Sequence, residues 1–334
     1  MITRIYNRDE AKSKEDNSSG IFIAESGNII RFSGTLKTCV HFGDMKELSM
    51  KANVYDFLHI WLGLGLLTSQ GQLWQQRRKL ITPAFHFAML NNFSETLIDN
   101  TVSLIKNCKK LAFLDLLMEA CDSQSVPLSD KDLSDEVNTF MFEGHDTTAV
   151  ALSYTLFLLG LHPEIQEKCF EELDEMFRDS ARKPTPDDLQ NMKYLERVIK
   201  ETLRLCPSVP MICRQVPKDT NLGGYLVPQG SLVTLDVFHL HRDPKYFPEP
   251  EKFDPDRFTI ENSQDRHPFA YVPFAAGTRN CIGQKFAMME EKIVLSYILR
   301  NFRLESIEKF QDMEPAFELI LRSEINLNVK FIPR

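Results

Sequence analysis

Phe274-Ala275-Ala276-Gly277-Thr278-Arg279-Asn280-Cys281-Ile282-Gly283 is the stretch on which the reading of this chain turns. A proline-rich segment without regular period, 244–273, precedes it, and the apolar spacing that follows predicts a last long helix over 283–300. Cys281 therefore stands at a helix N-terminus, where free backbone N–H groups and the dipole favour thiolate over thiol. A thiolate so placed serves as a nucleophile or a metal ligand. Gly277 and Gly283 let backbone approach a flat, bulky partner, and Arg279, two residues before the cysteine, can hold an anion beside it. A haem meets all three demands, since an axial cysteine thiolate pushes electron density onto the iron and favours O–O cleavage. On these residues alone, a free cysteine packed in a glycine-containing turn accounts for the pattern equally well.

Working outward, the chain has 334 residues, 43% of them hydrophobic, enough for one large domain or two ordinary ones with a buried core. Its 39 Lys plus Arg against 47 Asp plus Glu give a formal charge of -8, which argues against a nucleic-acid surface. The seven cysteines are odd in number and form no C-x-x-C pair, as expected of free thiols in a reducing compartment. The longest apolar stretches, 57–67 and 149–161, fall short of the roughly 20 residues a bilayer span needs.

The pattern is helix-rich with a minor sheet. The polar run 12–20 predicts a loose start. Helical spacing predicts a helix around Trp74 to Leu80 with one basic face, ended by Pro83, and further helices over 86–110 and 111–121. Ser129 followed by Asp132 opens a long buried helix that runs to Gly160; Pro163 and Pro186 open two more, and another over 194–205 is stopped by Pro207. Short apolar runs between turn residues over 210–236, and near Arg303, Glu318 and 326–332, read as strands. His239 and His241 would share a face in a strand and could bind a metal, but no third ligand stands nearby in sequence.

With those residues in view, the chain resembles the cytochrome P450 superfamily of haem-thiolate monooxygenases, whose haem-binding signature F-x-x-G-x-R-x-C-x-G is matched at Phe274, Gly277, Arg279, Cys281 and Gly283. Further landmarks resemble the superfamily in its order. Trp74 and Arg78 look like the W-x-x-x-R pair that holds a haem propionate, a cage that Arg214 and Arg279 would complete. Glu201 and Arg204, three apart on one helical face, look like the E-x-x-R pair, and Arg257 in Pro255-Asp256-Arg257-Phe258 like the arginine that joins it in a buried structural network. The run His239 to Pro244 resembles a structural H-R-D-P turn.

Glu143-Gly144-His145-Asp146-Thr147-Thr148 sets an acid beside hydroxyls in an apolar stretch, where unpaired polar groups are costly; a threonine bonded back to the preceding turn would also explain it. By resemblance, Asp146 and Thr147 are the acid–alcohol pair that relays protons to dioxygen, and Glu143 is similar to the carboxylate that forms a haem ester in the animal fourth family. The activity implied is insertion of one oxygen atom of O2 into a C–H bond of a hydrophobic, fatty-acid-like substrate. The electrons implied come from NADPH through a flavoprotein reductase, with Arg77, Lys79 and Lys285 as candidates for its docking face.

The expected fold is mainly α with a minor sheet, a cytochrome P450 fold in incomplete form. Residues 1–44 read as a polar, poorly matched segment and 45–334 as the monooxygenase domain, lacking a helical block near 100–110 that would roof the pocket. The resemblance implies the cytosolic face of the endoplasmic reticulum membrane, although no transmembrane segment is legible. Two alternatives stand beside this reading: a truncated haem-binding remnant without turnover, and a helical regulatory protein with a redox-active Cys281.

Overall fold

The structure is a computed structural model and describes residues 20–25, 28–33, 50–85, 97–98, 128–178, 180–222 and 224–334. Apart from Leu97 and Ile98, the helices predicted over 86–121 and the block read as lacking near 100–110 lie outside them. So does the run 12–20 apart from Gly20.

Among the described residues the helices carry the architecture. α1 (His59–Leu62) and α2 (Gly71–Ile81) precede the long α3 (Asp130–Leu161), then α4 (Pro163–Phe177), α5 (Pro186–Asn191) and α6 (Lys193–Leu205). After a strand-rich stretch come the single turns α7 (Val237–Leu240) and α8 (Ile260–Ser263), and then α9 (Gln284–Asn301). The caps explain the starts. The Ser129 hydroxyl accepts from the Asp132 N–H while the Asp132 carboxylate accepts from the Ser129 N–H, and Thr185 with Asp188 repeats the device at α5. Pro163 and Pro186 occupy first-turn positions, where the missing N–H costs nothing.

The core lies between α3, α4, α6 and α9, where Leu158, Leu173, Leu195, Ile199, Ile293 and Leu299 are buried almost completely. One buried polar side chain orders its far end. Gln166 of α4 donates to the carbonyls of Leu159 and Leu304 and accepts from the Leu304 N–H, which fixes strand β7 (Phe302–Ser306) against the α3–α4 corner.

The strands are short and antiparallel. β1 (Gly20–Glu25), β2 (Asn28–Ser33), β3 (Met211–Gln215) and β6 (Leu232–Asp236) form one sheet in the order β2-β1-β6-β3. β4 (Thr220–Leu222) and β5 (Tyr225–Val227) make a hairpin; β7 pairs with β10 (Val329–Pro333), and β8 (Pro315–Phe317) with β9 (Leu321–Ser323). The β1–β2 hairpin stands inside the stretch read as a polar, poorly matched segment. Its signal was there, in two short β-branched runs separated by Ser26-Gly27.

His239 lies in α7 and His241 caps its end, so the two do not share a strand face: His239 Nδ1 pairs with Asp236 at 2.7 Å, and His241 is buried with Nε2 accepting from the Val272 N–H. Among the described residues no cluster of metal-ligating side chains occurs. One expectation, for Arg77, is corrected. Arg77 does not belong to an exposed basic face. It is turned into the interior, 2.6 Å from Glu136 and 2.5 Å from Asp132, because α2 packs this side on the start of α3. Lys79 and Lys285 are exposed.

The glycine-rich connection between α1 and α2 is clamped on the same helix. The Leu64 N–H donates to Asp135 and the Leu66 N–H to Glu136, both at 2.9 Å. Gly65 is required by close approach: a Cβ there would overlap the Thr139 hydroxyl and come within 2.7 Å of the Asp135 carbonyl oxygen. Gly65→Ala is therefore expected to lower the free energy of unfolding by about 1–3 kcal/mol, as overpacking does, whereas Gly224→Ala, with open space around its Cβ but a φ of +100°, costs only its backbone strain. Urea unfolding midpoints of the two variants check this.

Candidate active site

Glu201 and Arg204 face each other on α6, wholly buried, with Nε–Oε2 at 2.7 Å and Nη2–Oε1 at 2.9 Å. Arg257 Nε stands 3.4 Å from Glu201 Oε1, and the Asp254 N–H donates to the same oxygen. Arg204 then spends its remaining donors on the carbonyls of His241 and Lys252. The His241 ring receives the Val272 N–H, and two residues later the Phe274 carbonyl receives the Cys281 N–H at 2.9 Å. An unbroken chain of bonds thus runs from the buried ion pair to the cysteine loop. The loop turns back on itself with Ala275 and Gly277 in the left-handed region, at φ 59° and 74°.

The other side of the loop is fastened to α2. Arg78 donates from both terminal nitrogens to Asn280, at 2.8 and 2.9 Å, and Arg279 donates to the Ser69 carbonyl while its guanidinium lies 4.0 Å over the Trp74 ring.

Between α2, α3, β3 and this loop lies a cavity of about 330 Å³. Every residue expected to hold a cofactor lines it: Trp74, Arg78, Glu143, Arg214, Phe274, Arg279 and Gly283, together with Cys281 and Thr147. Three guanidiniums so close repel one another; burial, then Arg214 and Arg78, push Arg279 down to about 9. That arrangement calls for anionic counter-charge. Cys281 is accessible from the cavity, but burial, reinforced by the charge of Glu143, pushes its thiol up to about 11 against the Gly283 N–H and Arg78. Desolvation thus works against the preference for thiolate that the helix end confers, and a bound cation beside the sulfur would restore it. The donor set fits a haem: a ligating thiol, cations and an indole N–H for two propionates, and apolar walls from Leu66, Phe140 and Ile282.

On α3, burial raises Glu143 while Lys51 lowers it. The Thr147 hydroxyl donates to the Glu143 carbonyl at 2.6 Å, so the backbone-bonded threonine weighed in the sequence is what forms. Asp146 does not line the cavity. Both its oxygens accept from Arg322 Nη2, at 2.6 and 2.7 Å.

Several lining groups were not foreseen. Lys51, half-buried and held by a backbone bridge to Arg214, is pushed down to about 7 by desolvation and then by Arg214. Glu291 on α9 is pushed up to about 8 by burial and Glu290. Leu319 and Ile320 come from the C-terminal hairpin. A lone lysine or an acidic pair in a helix reads as solvated surface in sequence; only the tertiary placement distinguishes them.

Residues 90–331 match the family description "Cytochrome P450". The chain is 36% identical to cytochrome P450 4c3 of Drosophila melanogaster over 408 aligned residues, which take in 85% of this chain and 76% of that one. It is 37% identical to cytochrome P450 4V2 of Homo sapiens over 397, covering 84% and 76%. In structure it resembles the "cytochrome P450DA heme domain" with a TM-score of 0.80 over 94% of this chain and 89% of that one, at 22% identity. This chain belongs to the cytochrome P450 family, the haem-thiolate monooxygenases, and its fold is that of the family. Among its relatives are members of the fourth family from insects and mammals.

Two outcomes follow from the network behind the loop. Glu201→Leu strands Arg204 and is expected to cost about 3–5 kcal/mol of stability, whereas Asp256→Asn, which breaks the half-exposed pair with Arg197, costs less than about 1 kcal/mol by chemical denaturation. His241 is pushed down to about 3 by burial, then Arg204 and Arg242. The unfolded chain binds that proton near its ordinary value of 6.5, so stability is complete above it and falls as pH drops toward 3. His241→Gln should flatten that fall; unfolding midpoints measured between about pH 7 and pH 4 read it directly.

Proposed function

We propose that this protein inserts one oxygen atom of O2 into a C–H bond of a hydrophobic, fatty-acid-like molecule at a haem held in the cavity of Cys281. The observation that carries the reading is the meeting of Cys281, Glu143, Thr147 and the cationic group Arg78, Arg214 and Arg279 in one cavity, drawn from four distant parts of the chain. Haem, when bound, supplies the oxygen-activating iron. Cys281 ligates that iron, with the Gly283 N–H bonding its sulfur. Trp74, Arg78, Arg214 and Arg279 hold the propionates, and Phe274 and Gly283 give the porphyrin room. Glu143 would be the carboxylate through which a bound haem could be held as an ester of one of its methyls, a bond whose formation consumes a two-electron oxidant such as peroxide. Thr147, and Asp146 behind it, deliver protons into the cavity. Leu66, Phe140, Leu319 and Ile320 provide apolar surface that binds the substrate and excludes water.

Electrons reach this centre from NADPH through a flavoprotein reductase, for which Lys79 and Lys285 offer exposed positive charge. The endoplasmic reticulum membrane is the setting the fourth-family likeness suggests; among the described residues no single helix is long and apolar enough to cross a membrane. Residues 45–334 form the monooxygenase domain in this reading, behind the segment 1–44.

A second reading, a haem-binding remnant without turnover, is favoured by one observation. The 408 aligned positions shared with a fourth-family relative exceed the 334 residues of this chain, so that relative carries residues inside the matched span that this chain lacks. A pocket without its roof exposes the activated oxygen to water.

The absorbance spectrum of the haem-reconstituted chain, reduced under carbon monoxide, tests the site. A strongly red-shifted Soret band that disappears in Cys281→Ala is expected, and a histidine-like band in both would exclude thiolate ligation. After incubation with peroxide, the oxidant that ester formation consumes, acidic organic extraction should leave haem on the wild-type protein and release it from Glu143→Ala. With the thiolate band present, product formation from a C12 fatty acid decides between turnover and remnant.

A further inference from the structure

We propose that Arg322 is a positioning residue that latches the C-terminal hairpin onto the Asp146–Thr147 turn of α3, so that contact with the hairpin's cavity wall and release of Asp146 form one equilibrium. The inference rests on the proton-delivering role proposed for that turn. β8 and β9 have three residues each and, among the described residues, pair only with one another, so the hairpin depends on tertiary ties for its position. Three of these ties converge on two consecutive residues of α3. Arg322 Nη2 donates to both oxygens of Asp146, at 2.6 and 2.7 Å. The Leu321 N–H donates to the Ser208 carbonyl at 2.8 Å, and the Ser208 hydroxyl donates in turn to the Thr147 carbonyl at 2.9 Å. A fourth tie, the edge-on contact of Phe317 with Phe238, holds the opposite strand.

The turn of this hairpin carries Leu319 and Ile320, both of which line the cavity, while Leu321 beside them is completely buried. Whatever presses on Ile320 therefore displaces a strand whose next-but-one residue holds the acid. A carboxylate whose two oxygens both accept from one guanidinium nitrogen is held in a single orientation until one of those bonds opens. The pair is suited to opening: Arg322 is 42% exposed and Asp146 19%, so water can replace the contact at small cost. A permanent structural pair in this protein looks different, as the wholly buried Glu201 and Arg204 do.

The test uses the full chain as wild type, Arg322→Gln, Asp146→Asn and the double variant, followed by hydrogen–deuterium exchange. In ligand-free protein each single variant should speed exchange at 315–323 and at 143–148 together by about three- to fivefold, and the double variant should add nothing further. Acceleration confined to one segment, or effects that multiply in the double variant, overturns the latch. In haem-reconstituted protein dodecanoate is the probe: by displacing the hairpin and opening the latch it should speed exchange at 143–148 of the wild type and leave that segment of Arg322→Gln, where the latch is already open, unchanged. An equal change at 143–148 in both proteins, or none in the wild type, overturns the coupling. The carbon monoxide spectrum, recorded on the same samples, fails independently if the haem reading is wrong, because the ligand-free arm requires no cofactor.

Discussion

The interaction on which the rest depends is the buried ion pair of Glu201 with Arg204. Removing two charges from water is expensive, and the arrangement survives because further partners surround the pair: the Asp254 N–H and the charge of Arg257 at the carboxylate, two backbone carbonyls on the guanidinium. What the expense secures is direction. The carbonyls that Arg204 holds belong to His241 and Lys252, in segments with almost no regular structure, and His241 passes the order on to Val272, the residue from which the cysteine loop departs. Irregular backbone is thereby given a fixed shape by a charge pair on a rigid helix.

On the opposite side α2 completes the frame through Arg78 and Arg279. These side chains fasten the loop while facing the same cavity, so fastening and ligand recognition use the same charges. The titration directions express the consequence: cations pushed down, acids and the thiol pushed up, all chiefly by burial. A charged, flat, metal-bearing ligand relieves these tensions together. The cavity is organised ahead of its ligand, which is how a binding site avoids reorganisation when the ligand arrives.

Much of this was legible in the sequence for identifiable reasons. Helix starts were read because Ser129, Pro163 and Pro186 act locally, through caps and a fixed φ. The cysteine loop was read because its five fixed positions lie within ten residues. The hairpin β1–β2 was overlooked because its short apolar runs are embedded in polar sequence, and strand pairing with β6 is decided two hundred residues away. Arg77 was misplaced because a basic residue on a helix looks solvated until the two acids that receive it, on α3, are brought near. Lys51 and Ile320 were invisible for the same reason: their meaning lies in what the tertiary fold sets opposite them.

The hydroxyl of Thr147 has a polarity fixed by the helix that carries it. Its only proton points at the Glu143 carbonyl, 2.6 Å away, and only lone pairs remain for the cavity. While that bond holds, a molecule arriving there meets an acceptor, so water or a hydroxyl presents its hydrogen to the helix and turns its oxygen the other way. One intrahelical bond thus sorts incoming ligands by orientation, and a proton leaves through Thr147 only when that turn of α3 lets go of its own backbone.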